Sequence, residues 1–80
     1  MPKRKIVTVT VDDAKPGTLE PIGPDRFQFI APVAFGKQFS FPDPVILRGF
    51  EEVGFSDEVG HFGTTIDLKN GECIVVFERD

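Results

Sequence analysis

The sequence has no tryptophan, no tyrosine, one histidine and one cysteine in 80 residues. A single cysteine excludes an internal disulfide and a zinc site built from cysteines. The length excludes a two-domain enzyme, a dinucleotide-binding Rossmann fold and a (β/α)8 barrel. Stability must therefore come from one small packed core.

Side chains suited to catalysis are also scarce. The one histidine, His61, follows Asp57 and Glu58, but neither serine of the chain lies in a Gly-x-Ser-x-Gly turn. These three side chains are too few for a structural zinc site, which needs about four ligands. Glu51 and Glu52 are neighbours in a predicted strand, so their carboxylates point to opposite faces. We therefore expect a protein that is not an enzyme, with no catalytic residue, no metal and no cofactor.

Long apolar runs are absent as well. A membrane span needs about 20 apolar residues, and the longest run here is a handful. The basic start, Met1–Lys5, is followed by alternating threonines in place of the apolar stretch of a signal peptide. This pattern predicts a cytoplasmic protein with no membrane contact. We expect residues 1–5 to form a flexible basic tail and residues 6–80 to form a single small β domain.

The residues that are abundant favour strands. The chain has nine valines, six isoleucines, five threonines and nine phenylalanines, against three alanines and three leucines. We predict an all-β fold of about six short strands, either a small antiparallel β-barrel or a two-layer β-sandwich. No segment has helical periodicity. Residues 13–25 are predicted to form a loop or an irregular edge strand, and residues 54–63 a loop. Outside the C-terminal hairpin, the predicted strands are Lys5–Asp12, Arg26–Ile30, Lys37–Phe41 and Val45–Val53.

The C-terminal hairpin has the strongest local signal. Asn70-Gly71 between two strand-like runs predicts a two-residue type I′ turn. This turn places Ile66 opposite Val75 on the apolar face, and Lys69 opposite Glu72 on the exposed face. The residues of the predicted apolar face are Ile66, Leu68, Cys73, Val75 and Phe77.

Charge is distributed unevenly around a net charge of −4. Residues 49–80 carry −6, whereas residues 26–48 carry +2. This balance argues against broad binding to nucleic acid or to an anionic membrane, and it favours a protein partner with a basic surface. We therefore predict a small protein-binding module, a regulator or inhibitor, in which an aromatic anchor and flanking acids contact the partner. The candidate contact residues are Glu51, Glu52, Phe55, Asp57 and Glu58.

An alternative prediction comes from two Phe-x-Phe units, Phe27-Gln28-Phe29 and Phe39-Ser40-Phe41. Each unit puts two rings on one face of a strand, where they either fill the core or stack against unpaired bases. The second possibility requires the rings of one unit to be exposed. The candidate residues for single-stranded nucleic acid are Arg26, Phe27, Phe29, Lys37, Phe39, Phe41 and Arg48.

These units carry a resemblance to a known family. Arg26–Pro32 resembles the first ribonucleoprotein motif of cold-shock domains, Lys-Gly-Phe-Gly-Phe-Ile, and Lys37–Phe41 is similar to the second. The resemblance covers about 16 residues and implies a five-stranded OB barrel that binds single-stranded nucleic acid. Arg26 and Gln28 replace the glycines of the family, the histidine of the second motif is absent, and the first strand has no aromatic residue.

A third prediction is assembly, in which an edge strand pairs with another chain. The candidate edges are Lys5–Val11, which has a threonine face, and Cys73–Glu78. The oligomeric state is left open by the sequence.

Overall fold

A computed structural model describes residues 5–14, 19–51 and 57–80. It has six strands and two helices of one turn each. The strands are β1 (Val7–Thr10), β2 (Leu19–Gly23), β3 (Arg26–Pro32), β4 (Pro44–Arg48), β5 (Glu58–Asp67) and β6 (Glu72–Arg79). The helices are α1 (Val11–Ala14) and α2 (Val33–Gly36).

The six strands form one sheet in the order β1-β4-β5-β6-β3-β2. The predicted all-β fold of about six strands is thus confirmed. All neighbours are antiparallel except β1 and β4, which run parallel, so the sheet is mixed rather than wholly antiparallel. Parallel neighbours need a long crossover, which residues 11–43 supply. Among the described strands β1 and β2 are the edges, and the sheet does not close into a barrel.

The core lies on one face of this sheet, which curls so that both edges contribute to it. Val9 of β1 and Leu19 of β2 belong to the same hydrophobic cluster. Most of the phenylalanines of the described residues belong to this cluster. The ring centroids of Phe29 and Phe35 are 5.8 Å apart and those of Phe35 and Phe62 are 5.9 Å apart, and both pairs are edge-to-face. The buried cluster comprises Val9, Leu19, Phe29, Ala31, Phe35, Val45, Leu47, Phe50, Phe62, Cys73, Val75 and Phe77.

The first strand ends earlier than its alternating pattern predicts. Val9 is buried and Thr8 exposed, as expected, but the helical turn α1 begins at Val11. Thr10 Oγ1 accepts from the Asp13 amide (3.4 Å), and Asp13 Oδ2 accepts from the Thr10 amide (3.4 Å). This is a capping box, in which Thr-x-x-Asp satisfies the first amides of a helix. The Thr10-x-x-Asp13 pattern is visible in the sequence, but the alternating valines continue to Val11 and predict a longer strand.

Two of the next three segments differ from the predicted pattern. Lys37–Phe41 is not a strand, because its first amides continue the turn of α2 by bonding to Val33 and Phe35 carbonyls. Residues 19–23 lie in the segment expected to be a loop or an irregular edge, and they form the edge strand β2, whose register shifts between Pro21 and Gly23. Residues 58–63, also expected in a loop, belong to β5. Gly60 is buried in this strand. The backbone of β6 occupies the space that a side chain at position 60 would need.

The C-terminal hairpin is present, but its register is shifted by one residue from the predicted one. The Leu68 amide donates to the Glu72 carbonyl (2.7 Å) and closes a loop of three residues, 69–71. Among these three, only Gly71 has positive φ (83°). This is the three-residue loop in which a left-handed glycine follows a type I turn. Ile66 therefore pairs with Ile74, not with Val75. A one-residue shift moves side chains to the other face, so Ile66 and Leu68 leave the core.

A bulge in β5 reverses which side chains of this strand point toward the core, so that Phe62 points inward. The register shifts between Phe62 and Thr64, with Gly63 as the extra residue. A Cβ at position 63 would lie 2.6 Å from Glu78 Oε1, so a larger residue here would require the Glu78 side chain to move. Because of the bulge, Phe62 pairs with Phe77 in the core while Ile66 points outward.

Candidate protein-binding surface

Three isoleucines from neighbouring strands lie side by side on the face of the sheet opposite the core. Ile30 of β3 pairs with Ile74 of β6, and Ile74 pairs with Ile66 of β5. Ile30 is between buried Phe29 and Ala31, and Ile74 is between buried Cys73 and Val75, so all three point outward. We name these residues the isoleucine row. With strands about 4.8 Å apart, the row is about 10 Å long.

The row is exposed and extends along the strands. Ile66 is 56% exposed and Ile30 37%, while Ile74 between them is half-buried. Leu68 continues the outward side of β5 and is also exposed. Val76, two residues after Ile74, faces the same way but is only 6% exposed. We name the row together with Leu68 the isoleucine face.

Two carboxylates flank the isoleucine row on the same face. Glu20 of β2 accepts a hydrogen bond from Gln28 Nε2 (2.8 Å), and Glu72 of β6 accepts one from Asn70 Nδ2 (2.7 Å). Among residues 5–14, 19–51 and 57–80, neither carboxylate has a basic side chain within ion-pair distance. A groove of about 210 Å³ runs from Glu20 to Ile74 along β3. The surface is thus apolar in its centre and acidic at its margin.

The predicted acidic contact residues are only partly described. Glu51 is exposed, whereas Glu52 and Phe55 lie outside the described residues. Asp57 pairs with Arg48 (3.0 Å between Oδ1 and Nε), and Glu58 pairs with Arg79 (3.5 Å between Oε1 and Nη1). Two of the predicted acids therefore already have basic partners in the fold.

The two Phe-x-Phe units do not form an exposed platform. Phe29 is in the core, and Phe27 and Phe39 pack partly against it. Phe41 is the exception, with 58% exposure, and its ring lies 5.6 Å from that of His61. In neither unit are both rings exposed. The predicted basic residues of this site differ in their contacts: Arg26 pairs with Glu78 (3.7 Å), Arg48 with Asp57, and Lys37 is exposed.

The remaining reactive side chains have structural contacts. His61 Nδ1 lies 3.0 Å from Asp80 Oδ1. Cys73 is fully buried, its Sγ lies 3.5 Å from the Pro32 carbonyl, and burial raises the pKa of this thiol above its ordinary value. Within the part of the chain that the structure describes, no three histidine, cysteine or carboxylate side chains are grouped to hold a metal ion.

The two predicted edges have different outcomes. The strand β6, which contains the predicted edge Cys73–Glu78, pairs with both β3 and β5 and is therefore an interior strand. The strand β1 is an edge, paired with β4 alone among the described strands. Beside it lies a groove of about 310 Å³ between Val7–Val9 and the residues of α2, with Asp13 and Gln38 as polar lining.

Comparison of the chain with protein-family models, curated proteins and solved structures found no match. The resemblance of Arg26–Pro32 and Lys37–Phe41 to cold-shock motifs is thus not accompanied by a family match. Among the described helices, none has the length and apolar character required to cross a bilayer.

Proposed function

We propose that the chain is a non-catalytic protein-binding module that contacts a basic partner through the isoleucine face and acts as a small acidic regulator or inhibitor of that partner. We place this binding in the cytoplasm, where Cys73 would stay a thiol. The observation that carries the proposal is the exposed isoleucine row, Ile30, Ile74 and Ile66.

The composition of the face supports a protein as the partner. Contiguous exposed apolar side chains with a polar margin are typical of protein–protein contact sites. Nucleic acid fits this face poorly, because the carboxylates of Glu20 and Glu72 would repel phosphate and the row offers no aromatic ring for stacking. The buried position of Phe29 also weakens the stacking alternative.

The test is affinity capture with the wild-type protein and two variants from cells that express it. Ile66→Lys places a charge in the row, and Ile6→Lys is the matched control because Ile6 has the same exposure, 56%, and precedes the edge strand β1. We expect a protein that binds the wild type and Ile6→Lys and does not bind Ile66→Lys. Equal thermal unfolding of the two variants would show that folding is not the cause.

Two results would contradict this function. One is a set of captured proteins that is the same for all three baits. The other is tight, salt-sensitive binding of labelled single-stranded DNA or RNA that Ile66→Lys leaves unchanged, which would favour the nucleic-acid alternative.

A second candidate function is assembly through the edge strand β1, which the single pairing of β1 with β4 favours. Sedimentation equilibrium over a hundredfold range of concentration, on the order of micromolar to sub-millimolar, tests it. A molar mass that stays at one chain throughout would end this candidate.

A further inference from the structure

We propose that the partner docks an amphipathic α-helix on the isoleucine face, with an apolar stripe over the isoleucine row and lysine or arginine side chains directed toward Glu20 and Glu72. This inference rests on the proposed function, because it names the chemistry of the partner at the same surface. Its basis is the size of the row, the position of Ile74 and the charge at the margin.

The dimensions of the row suit one helix. The row spans three strands and about 10 Å, which is close to the width of about 10–12 Å of a helix with its side chains. Leu68 extends the exposed apolar surface from the row along β5 toward the hairpin loop. A helix aligned with β6 would therefore place successive apolar residues on Leu68 and on the row, as in a helix layer packed on a sheet.

The position of Ile74 argues against an added β-strand as the occupant. An extended segment binds a sheet through main-chain hydrogen bonds at an edge strand. Ile74 lies in β6, which pairs with β3 on one side and with β5 on the other. A partner reaches this residue only through side chains laid over the face.

The charges around the face favour basic flanks on the helix. Glu20 and Glu72 border the row, and on this face Arg26 and Glu78 already pair with each other (3.7 Å). Among the described residues, Lys69 in the hairpin loop is the other cation near the row, and it is exposed beyond Leu68. A second copy of this chain would bring the same two carboxylates to the contact, and its net charge of −4 would add repulsion. Basic side chains on the partner complement the margin and speed association.

The experiment is an NMR titration of protein labelled at the isoleucine δ1-methyl groups. Ile30, Ile66 and Ile74 report on the face, and Ile6, Ile22 and Ile46 are internal references. The probes are alanine-based peptides of about 18 residues, long enough to be helical in water, with a leucine stripe at i, i+3, i+4 and i+7. One peptide has lysine flanks, a second has glutamate flanks, and a third is the lysine peptide with a central proline that breaks the helix.

We expect the lysine-flanked helix to shift the three methyl groups of the row, with a Kd at least about tenfold lower than that of the glutamate-flanked helix. The difference should shrink at about 1 M salt, because exposed charges are screened. Ile66→Lys should weaken binding about tenfold, and Ile6→Lys should not. Glu20→Gln with Glu72→Gln should reduce the preference for lysine flanks, whereas Glu51→Gln, an exposed acid elsewhere, should preserve it.

The contrary outcomes separate the inference from the proposed function. If the lysine-flanked and glutamate-flanked helices bind the row with equal Kd, the inference of a basic partner is wrong. If the peptide with the central proline binds as tightly as the intact lysine helix, the inference of a helical partner is wrong. In both cases the proposed binding face is still supported. Methyl shifts of the row that depend on protein concentration alone would identify a second copy as the occupant and overturn the inference. If no peptide shifts the row and the capture experiment also finds no protein sensitive to Ile66→Lys, the proposed function fails.

Discussion

Ile66 lies directly opposite Ile74 on the outward face of the sheet, although the Asn70-Gly71 sequence predicts Val75 as its neighbour. The difference is one residue in the hairpin loop. It removes Ile66 and Leu68 from the core and places them beside Ile74, where they create the apolar surface on which both proposals depend.

The first prediction tests this register through stability. Ile66→Thr should change the free energy of unfolding by about 0.5 kcal/mol or less, because the side chain is mostly exposed. Leu47→Ala, at a fully buried position, should cost about 2–5 kcal/mol. Urea unfolding measures both. A large loss for Ile66→Thr would mean that Ile66 is in the core and that the two-residue turn is correct.

The second prediction concerns the hairpin loop. Gly71→Ala should destabilise the protein by about 1–2 kcal/mol, because φ at this position is 83° and an alanine there is strained. No atom lies within 4 Å of a Cβ at this position, so the cost comes from the backbone alone. Gly71→Asn should cost less, since asparagine tolerates this conformation. Equal costs for alanine and asparagine would contradict a left-handed residue at position 71.

The third prediction is a coupling between α2 and β6. A Cβ at position 36 would lie 2.7 Å from Cys73 Sγ and 3.1 Å from Thr65 Cγ2. Gly36→Ala should therefore destabilise the protein by about 1–3 kcal/mol, and the loss should be smaller in a Cys73→Ala background. A double-mutant cycle followed by urea unfolding gives the coupling. A coupling of zero would place α2 away from this thiol.

The fourth prediction is a pH dependence of stability caused by Cys73. Burial raises the pKa of the thiol in the folded state, so above the ordinary thiol pKa the unfolded chain loses its proton first. The contribution of the neutral thiol is complete at lower pH and is lost as the pH rises through the folded-state pKa. The wild type should lose more stability than Cys73→Ala between about pH 7 and pH 9.5. Identical pH profiles would rule out this effect.

The fifth prediction separates core rings from exposed rings. Phe29→Ala should cost about 3–5 kcal/mol or prevent folding, because the ring contacts Phe35, Phe50 and Phe62. Phe41→Ala should preserve most of the stability, because its ring is mostly exposed. Circular dichroism melting curves of the two variants measure this contrast. Similar losses for both would place Phe41 in the core as well.

Part of the fold follows from local patterns in the sequence. The alternation of Val7, Thr8 and Val9 predicts a strand with one buried face, and Asn70-Gly71 predicts a hairpin; both are present. Local patterns do not predict the structure of a residue whose conformation depends on contacts with a neighbouring strand. Gly60 indicates a loop by composition, but it lies in β5 because β6 occupies the space of its missing side chain.

The sequence by itself determined that this is a small all-β protein, since β-branched and aromatic residues, frequent turns and scarce helix formers all favour that class. The tertiary structure alone decided which apolar residues are outside. Ile30, Ile66 and Ile74 are 8 to 44 positions apart along the chain, and they meet only through the pairing of β3, β6 and β5. The physical reason is that strand register has a period of two, so a single residue in a loop or a bulge reverses the face of every side chain that follows.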